Sequence, residues 1–488
     1  MNRIQFLGVF TGPLFFTLIL LFFEPEGLSQ AGIATLASAV WISIWWITEA
    51  IPISATALLP LVLFPLTGIM SIDSAGTSFS NKMIFLFLGG FIIAAAIEKT
   101  NLHKRIALNI INKVGTDWNK VILGFMIATA FLSMWISNTA TAVMVLPIGL
   151  SVISQLNIEG ISHAKMSRSL MLAIAYGCSV GGIATLIGTP TNPIFAGYIE
   201  QNFGVTITFT QWMSVGLPFS ICMLVIGWLY LTKVAYKTNV ASISGGAATI
   251  KKQLEELGQM SYQERMVLIV FVSTAFLWIT RKYLIEPFMG GTSDALIAVL
   301  GAIVLFVIPS GNKSHRIGLI DWRTAETIPW GILLLFGGGL ALASGFQSSG
   351  LANWIGEQLN TFGALPTILL ILAIISVVNF LTEITSNVAT AAMLMPVLGA
   401  LALSIDVHPY ILMVSATIAA SCAFMLPVAT PPNAVVFSSG FLSIPQMIRV
   451  GFWMNIISII VATLLIYVLL PFLWDIEIGV FPSDFIKT

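Results

Sequence analysis

Runs of apolar residues recur from one end of this chain to the other, each close to the roughly 20 residues that a helix needs to cross a bilayer. They fall at about 5–23, 31–49, 51–69, 83–98, 169–201, 211–232, 265–286, 293–309, 328–346, 408–440 and 450–474. Two further apolar stretches, 121–155 and 364–404, carry polar residues near their centres. A segment in lipid has no water to satisfy its backbone, so such runs are helices whose N–H and C=O groups pair internally. Only 9% of the 488 residues are charged, against about 25% in soluble domains, and the mean hydropathy is +0.96. These values exclude a soluble enzyme and a disordered chain. The balance of 21 basic against 21 acidic residues excludes the basic surface of a nucleic-acid-binding protein. The expected class is an all-α polytopic membrane protein with about 11 transmembrane helices. Its first run carries one basic residue, Arg3, and is followed by FFEPEG, so it reads as a span rather than a cleaved leader.

Lys and Arg set the orientation. If 121–155 and 364–404 are re-entrant hairpins, each returning to the side it entered from, 17 of the 21 basic residues fall on one face. The other face holds only Lys82, Arg281, Lys282 and Lys487. That bias makes the larger group cytoplasmic, with the N-terminus inside. Full crossings at the two stretches would invert the sides and weaken the bias. The charge pattern therefore favours two re-entrant hairpins and eleven spans. The polar stretch 235–262 reads as an interfacial cytoplasmic helix between two halves, 1–234 and 265–488, with 235–264 as the linker. The stretches 99–118 and 347–363 read as interfacial helices at equivalent places in each half.

The halves repeat. Residues 137–147 read SNTATAVMVLP and 386–396 read SNVATAAMLMP, identical at seven of eleven positions and 249 positions apart. TPTN at 189–192 returns as TPPN at 430–433 after 241 positions, and IFLFLGG at 84–90 as ILLLFGG at 332–338 after 248. Near-constant offsets indicate duplication. By the charge count the first hairpin enters from the cytoplasm and the second from outside, so the repeats have inverted topology. Inverted repeats with paired discontinuous helices are the architecture of secondary transporters, whose substrate and coupling ions sit where the breaks meet.

The four polar motifs carry the chemistry. Asn is hard to hide in lipid, and a hairpin tip frees backbone groups that protein, ion or substrate must satisfy. A threonine, proline and asparagine within a span break the helix there. Helix starts attract anions and helix ends attract cations. No Lys or Arg occurs between residues 120 and 165, 168 and 233, or 323 and 449, and all four motifs lie in those gaps. An anion site built here must use hydroxyls, amides, helix dipoles and bound cations. Neutral oxygen ligands suit a small hard cation such as Na⁺. Glu383, in LTEITSN, can bind a cation, carry a proton or brace the hairpin, with bracing the favoured reading. Trp41, Trp45 and Trp46 beside Glu49 read as interface anchors. Cys178, Cys222 and Cys422 lie far apart in apolar runs, and the four histidines are scattered. Neither set forms a disulfide framework, a thiol metal site or an H-E-x-x-H pattern.

With ITEAIPISATALLP (47–60), SNTATAVMVLP, IGTPTNPI (187–194), SNVATAAMLMP and ASCAFMLPVATPPNAVV (420–436), the chain resembles the divalent anion/sodium symporter family over essentially its whole length. That family carries dicarboxylates, citrate and sulfate. The resemblance implies an eleven-span protomer with two opposed re-entrant hairpins and two broken helices. It also implies a homodimer in the plasma membrane whose transport domain moves as an elevator against a scaffold. Carried over by motif, one sodium site comprises Ser133, Ser137, Asn138 and Gly188, and the other Thr382, Thr385, Asn387 and Ala429. The anion is expected to touch Ser137, Asn138, Thr139, Thr189, Ser386, Asn387, Thr430 and Pro431. One position departs from the pattern. Many bacterial members have Ser-Asn-Thr in both hairpins, but here the second reads Ser386-Asn387-Val388, which removes one potential contact to a carboxylate.

The expected function is sodium-coupled import of di- or tricarboxylates, with succinate, malate and fumarate foremost, and no organic cofactor. A sodium-independent exchanger would replace sodium's charge with basic side chains, which the motifs lack. A sulfate symporter would share the fold. A membrane enzyme would need a nucleophile with a base, and Ser137 and Ser386 have no histidine nearby in sequence.

Overall fold

The computed structural model describes residues 3–115, 117–155, 161–237, 244–311 and 318–485. Lys313, Arg316 and Lys487, and the linker residues 238–243, lie outside them. The described residues are helical throughout, with only an isolated bridge between Pro309 and Gly318.

Seven helices are long and apolar enough to cross a membrane: Arg3–Phe22, Gln30–Thr48, Phe209–Ala235, Tyr262–Leu284, Trp330–Ser348, Asn387–Ser404 and Ile444–Trp474. Ile72–Ser80 and Lys82–Lys99 make an eighth if their 41° bend is taken as one broken span. Other expected runs are shorter as helices. The 51–69 run is divided into Ile53–Thr56 and Leu59–Leu66, each led in by a proline, Pro52 or Pro60, which cannot donate to the preceding turn. The 293–309 run condenses to Asp294–Val307. Large apolar side chains cover the outside. Phe6, Phe10 and Phe22 on the first helix are 55%, 61% and 76% exposed, which only a lipid environment satisfies. One interface expectation is corrected: Trp46 is buried in the core, its Nε1 donating to the Ile53 carbonyl at 3.1 Å, because the chain folds back beneath it.

The motifs lie on four interrupted helices. Trp118–Ser133 and Asn138–Ser154 form a first pair, and Thr367–Leu381 and Asn387–Ser404 a second. The leading arms of 16 and 15 residues reach about 24 and 22 Å, short of the ~30 Å hydrocarbon core. Ile161–Ile183 gives way at 184–190 to Thr191–Phe203. Pro409–Ala420 gives way at 421–430 to Pro431–Phe437. Pro190, Pro431 and Pro432 sit where the second segments begin, the places that tolerate a missing N–H.

The two interrupted helices are joined to their pairs differently. In the first half, Gly181 lets the backbones touch. A Cβ there would lie 2.4 Å from the Ala130 backbone, as small residues permit in membrane helices. In the second half the position matching Ala130 is Asn379, whose Nδ2 donates to the Cys422 carbonyl at 2.6 Å.

Leu102–Val114 and Leu351–Leu359 occupy the expected interfacial stretches, the former burying Leu102, Ala107, Leu108 and Ile111 along one face. In the linker, Ser244–Glu256 is helical. The loop that follows is held by Arg105, whose Nε donates to Glu264 Oε1 at 2.8 Å and Nη1 to the Gly258 carbonyl at 2.9 Å. Its Nη2 meets the Leu257 carbonyl at 3.2 Å.

Candidate functional site

Asn138 opens the second helix of the first pair, and Ser133 closes the first. Ser133 Oγ lies 2.5 Å from Asn138 Oδ1 and 2.8 Å from the Cys178 carbonyl of the broken helix. A hydroxyl has one proton to donate. Three oxygens thus face one another with a single hydrogen among them. Gly182 leaves room for the amide, since a Cβ there would lie 2.5 Å from Asn138 Oδ1. The second half repeats the arrangement. Thr382 Oγ1 lies 2.7 Å from Asn387 Oδ1 and 3.0 Å from the Ala420 carbonyl. Each triad has more lone pairs than protons, and a small hard cation resolves that surplus.

Two further asparagines hold the breaks open. Asn192 Nδ2 donates to the Gly182 and Thr185 carbonyls at 3.2 and 2.7 Å. Asn433 Nδ2 donates to the Ala423 and Leu426 carbonyls at 3.2 and 3.0 Å. Each satisfies two carbonyls that unwinding has freed. The breaks also meet each other. The Thr191 and Ser421 hydroxyls are 2.8 Å apart, and the Tyr176 hydroxyl donates to the Phe424 carbonyl at 3.3 Å.

The remaining expected residues divide by their engagement. Ser137 caps its helix, accepting from the Ala140 N–H at 3.2 Å, whereas Ser386 makes no side-chain cap. Thr430 accepts from the Asn433 N–H at 3.3 Å. Thr385 donates to the Leu381 carbonyl at 2.9 Å and lies 2.7 Å from the Thr390 hydroxyl. Thr139 and Pro431 are exposed, Thr189, Gly188 and Ala429 buried. Gly188 lies against the Gly182 carbonyl, which brings it beside Asn138. The Cys178 and Ala420 carbonyls escaped sequence reasoning, as did the clasps of Asn192 and Asn433, although TPTN and TPPN contain those two residues.

Glu383 braces. Its Oε1 accepts from Phe424 N–H at 2.8 Å, Met425 N–H at 3.0 Å and Asn455 Nδ2 at 2.7 Å. Its Oε2 accepts from Met425 N–H at 3.2 Å and Leu426 N–H at 3.0 Å.

A cavity of about 320 Å³ lies elsewhere, lined by Lys82, Arg281, Glu286 and Asp294 among others. Lys82 pairs with Glu200, and Arg281 pairs with Asp294 at 2.7 Å and Glu286 at 3.2 Å. Lys282 also lines the cavity, so three basic side chains stand against three acids and a free anion meets little net charge.

A family model for the sodium:sulfate symporter transmembrane region matches residues 5–475. The chain belongs to the sodium:sulfate symporter family. Within it, a protein of Staphylococcus saprophyticus named sodium-dependent dicarboxylate transporter SdcS is 48% identical over 482 residues, covering 97% of this chain and 93% of that one. SdcS of Staphylococcus aureus is 48% identical over 483 residues with the same coverage. Two solved structures share the fold of this symporter-family chain at 14% identity. The YdaH transporter of Alcanivorax borkumensis has a TM-score of 0.61, covering 90% of this chain and 99% of that one. MtrF of Neisseria gonorrhoeae has a TM-score of 0.60, covering 96% of each.

Proposed function

We propose that this chain is a sodium-coupled importer of small dicarboxylate anions, succinate, malate and fumarate foremost, working by alternating access. The observation that carries the reading is the pair of oxygen triads, Ser133–Asn138–Cys178 and Thr382–Asn387–Ala420, each with one proton among three oxygens. The names of the staphylococcal relatives agree with it.

In this reading one sodium ion binds at Ser133, Ser137, Asn138, Gly188 and the Cys178 carbonyl. A second binds at Thr382, Thr385, Asn387, Ala429 and the Ala420 carbonyl. The anion then lies between the helix starts at Asn138 and Asn387, touching Ser137, Thr139, Ser386, Thr189, Thr430 and Pro431. With no Lys or Arg in the flanking sequence, the two cations supply the charge that draws a dianion in. Moving one elementary charge across 100 mV is worth about 2.3 kcal/mol, so any sodium ion carried beyond the two that balance the dianion would couple uptake to the membrane potential.

The architecture proposed is eleven spans in two inverted repeats with two re-entrant hairpins, the N-terminus cytoplasmic, in the plasma membrane. The halves are 1–234 and 265–488, joined by the 235–264 linker. The short leading arms of both pairs support re-entrance. The protomer is proposed to act in a homodimer, its transport domain moving as an elevator. Proteoliposomes loaded with the purified protein are expected to take up labelled succinate when an inward sodium gradient is imposed. Uptake indifferent to sodium would refute the proposal.

A further inference from the structure

The two halves repeat their oxygen triads but not the joint behind them. Glu383 stands where the first half has Met134, 249 positions earlier. Its carboxylate spans from the turn of the second helix pair to three consecutive backbone N–H groups, Phe424, Met425 and Leu426, in the unwound break. Asn455, on the long helix Ile444–Trp474, adds a fourth donor. All four partners are donors, so both carboxylate oxygens act as acceptors and none of these contacts competes with an ion for the triad. Among the described residues, the matching segment of the first half, Ile183–Thr185, has no such clamp. Its tie to the turn is a single bond from Thr185 Oγ1 to the Met134 carbonyl at 2.5 Å.

The clamp sits one residue from Thr382, whose hydroxyl belongs to the second triad. Its far end, at Phe424, lies four residues from Ala420, which supplies that triad's carbonyl. Fixing the break against the turn therefore fixes the distance between the side-chain and backbone oxygens of the triad. We infer that Glu383 is a positioning residue that holds the second cation site assembled, so that sodium affinity there depends on a clamp the first site lacks. The inference rests on the assignment of the two triads as sodium sites.

Sodium binding is read without transport, as the sodium-dependent rise in unfolding temperature of the purified protein in detergent. Asn138→Ala weakens the first site, so that the second is read at lower sodium, and Asn387→Ala does the reverse. In the Asn138→Ala background, Glu383→Gln is expected to raise the half-maximal sodium concentration about tenfold, by weakening bonds to a charged acceptor. In the Asn387→Ala background it is expected to leave that concentration unchanged. Asn455→Ala removes one donor to Glu383 and one acceptor of the Phe424 N–H without altering the helix pair, and keeps the test open if Glu383→Gln does not fold. It is expected to shift the second site in the same direction by a smaller factor. A shift of both sites by Glu383→Gln, or of neither, overturns the inference. So does a shift with Glu383→Gln but none with Asn455→Ala, which would make the carboxylate a sodium ligand itself. If sodium stabilises the protein as described but succinate uptake ignores sodium, the coupled-import reading fails and the clamp stands. If uptake is sodium-driven but the clamp variants leave the second site unmoved, the reverse holds.

Discussion

At the residue scale, the site turns on two asparagines whose amide oxygens each share a hydroxyl with a backbone carbonyl of a broken helix. Replacing either with alanine removes one of three oxygens. Asn138→Ala and Asn387→Ala are each expected to raise the sodium concentration for half-maximal succinate uptake at least about tenfold, since a bond to a charged group contributes ~1.5–3 kcal/mol. Thermal unfolding in the absence of sodium checks that the fold survives. Val388 is the position to test for selectivity. Val388→Thr places a hydroxyl beside Asn387 and is expected to change the ratio of succinate to competing dicarboxylates by a few-fold to about tenfold, read in a competition panel. The asparagines were legible in sequence because an amide within an apolar run demands a partner. The carbonyls of Cys178 and Ala420 were not, because every residue presents the same backbone oxygen. Glu383 was visible as a buried acid, but its partners are backbone amides 41–43 positions away and Asn455, 72 away. Only the folded turn brings them together.

At the element scale, the matching joints use different physics. Gly181 presses its backbone on Ala130, while Asn379 spans the equivalent gap with a hydrogen bond. Gly181→Val is expected to force the first broken helix off its neighbour and destabilise by about 1–3 kcal/mol, as overpacking does. Asn379→Leu is expected to destabilise by a similar amount for another reason, since it leaves the Cys422 carbonyl unpaired. Thermal melts of both variants check these values. Gly181→Ala is expected to destabilise as well, because its Cβ would already lie 2.4 Å from the Ala130 backbone. The broken helices were legible from TPTN and TPPN, since proline placement is a local property. The lengths of the segments were not. A run such as 51–69 is apolar throughout, yet its prolines divide it into helices of 4 and 8 residues, and hydropathy registers composition rather than continuity.

At the scale of the whole molecule, the charge asymmetry yields a direct test of topology. Lys113 lies at the end of an interfacial helix expected in the cytoplasm, and Lys282 at the end of a span expected to face outward. In a variant with its native cysteines replaced, Lys282→Cys is expected to react with an impermeant thiol reagent applied to intact cells. Lys113→Cys is expected to react only after the membrane is opened. The opposite pattern would overturn the orientation. The Arg105 clasp reaches further than the linker it grips. Its side chain, 11% exposed, ties the first half to Glu264 and to the carbonyls of Leu257 and Gly258, all beyond the 238–243 segment. Continuity of the polypeptide at that segment is then a convenience of synthesis. Two separately translated fragments, 1–240 and 241–488, retain the Arg105 clasp and are expected to reassemble in the membrane, read as co-purification of the second fragment with a tagged first one.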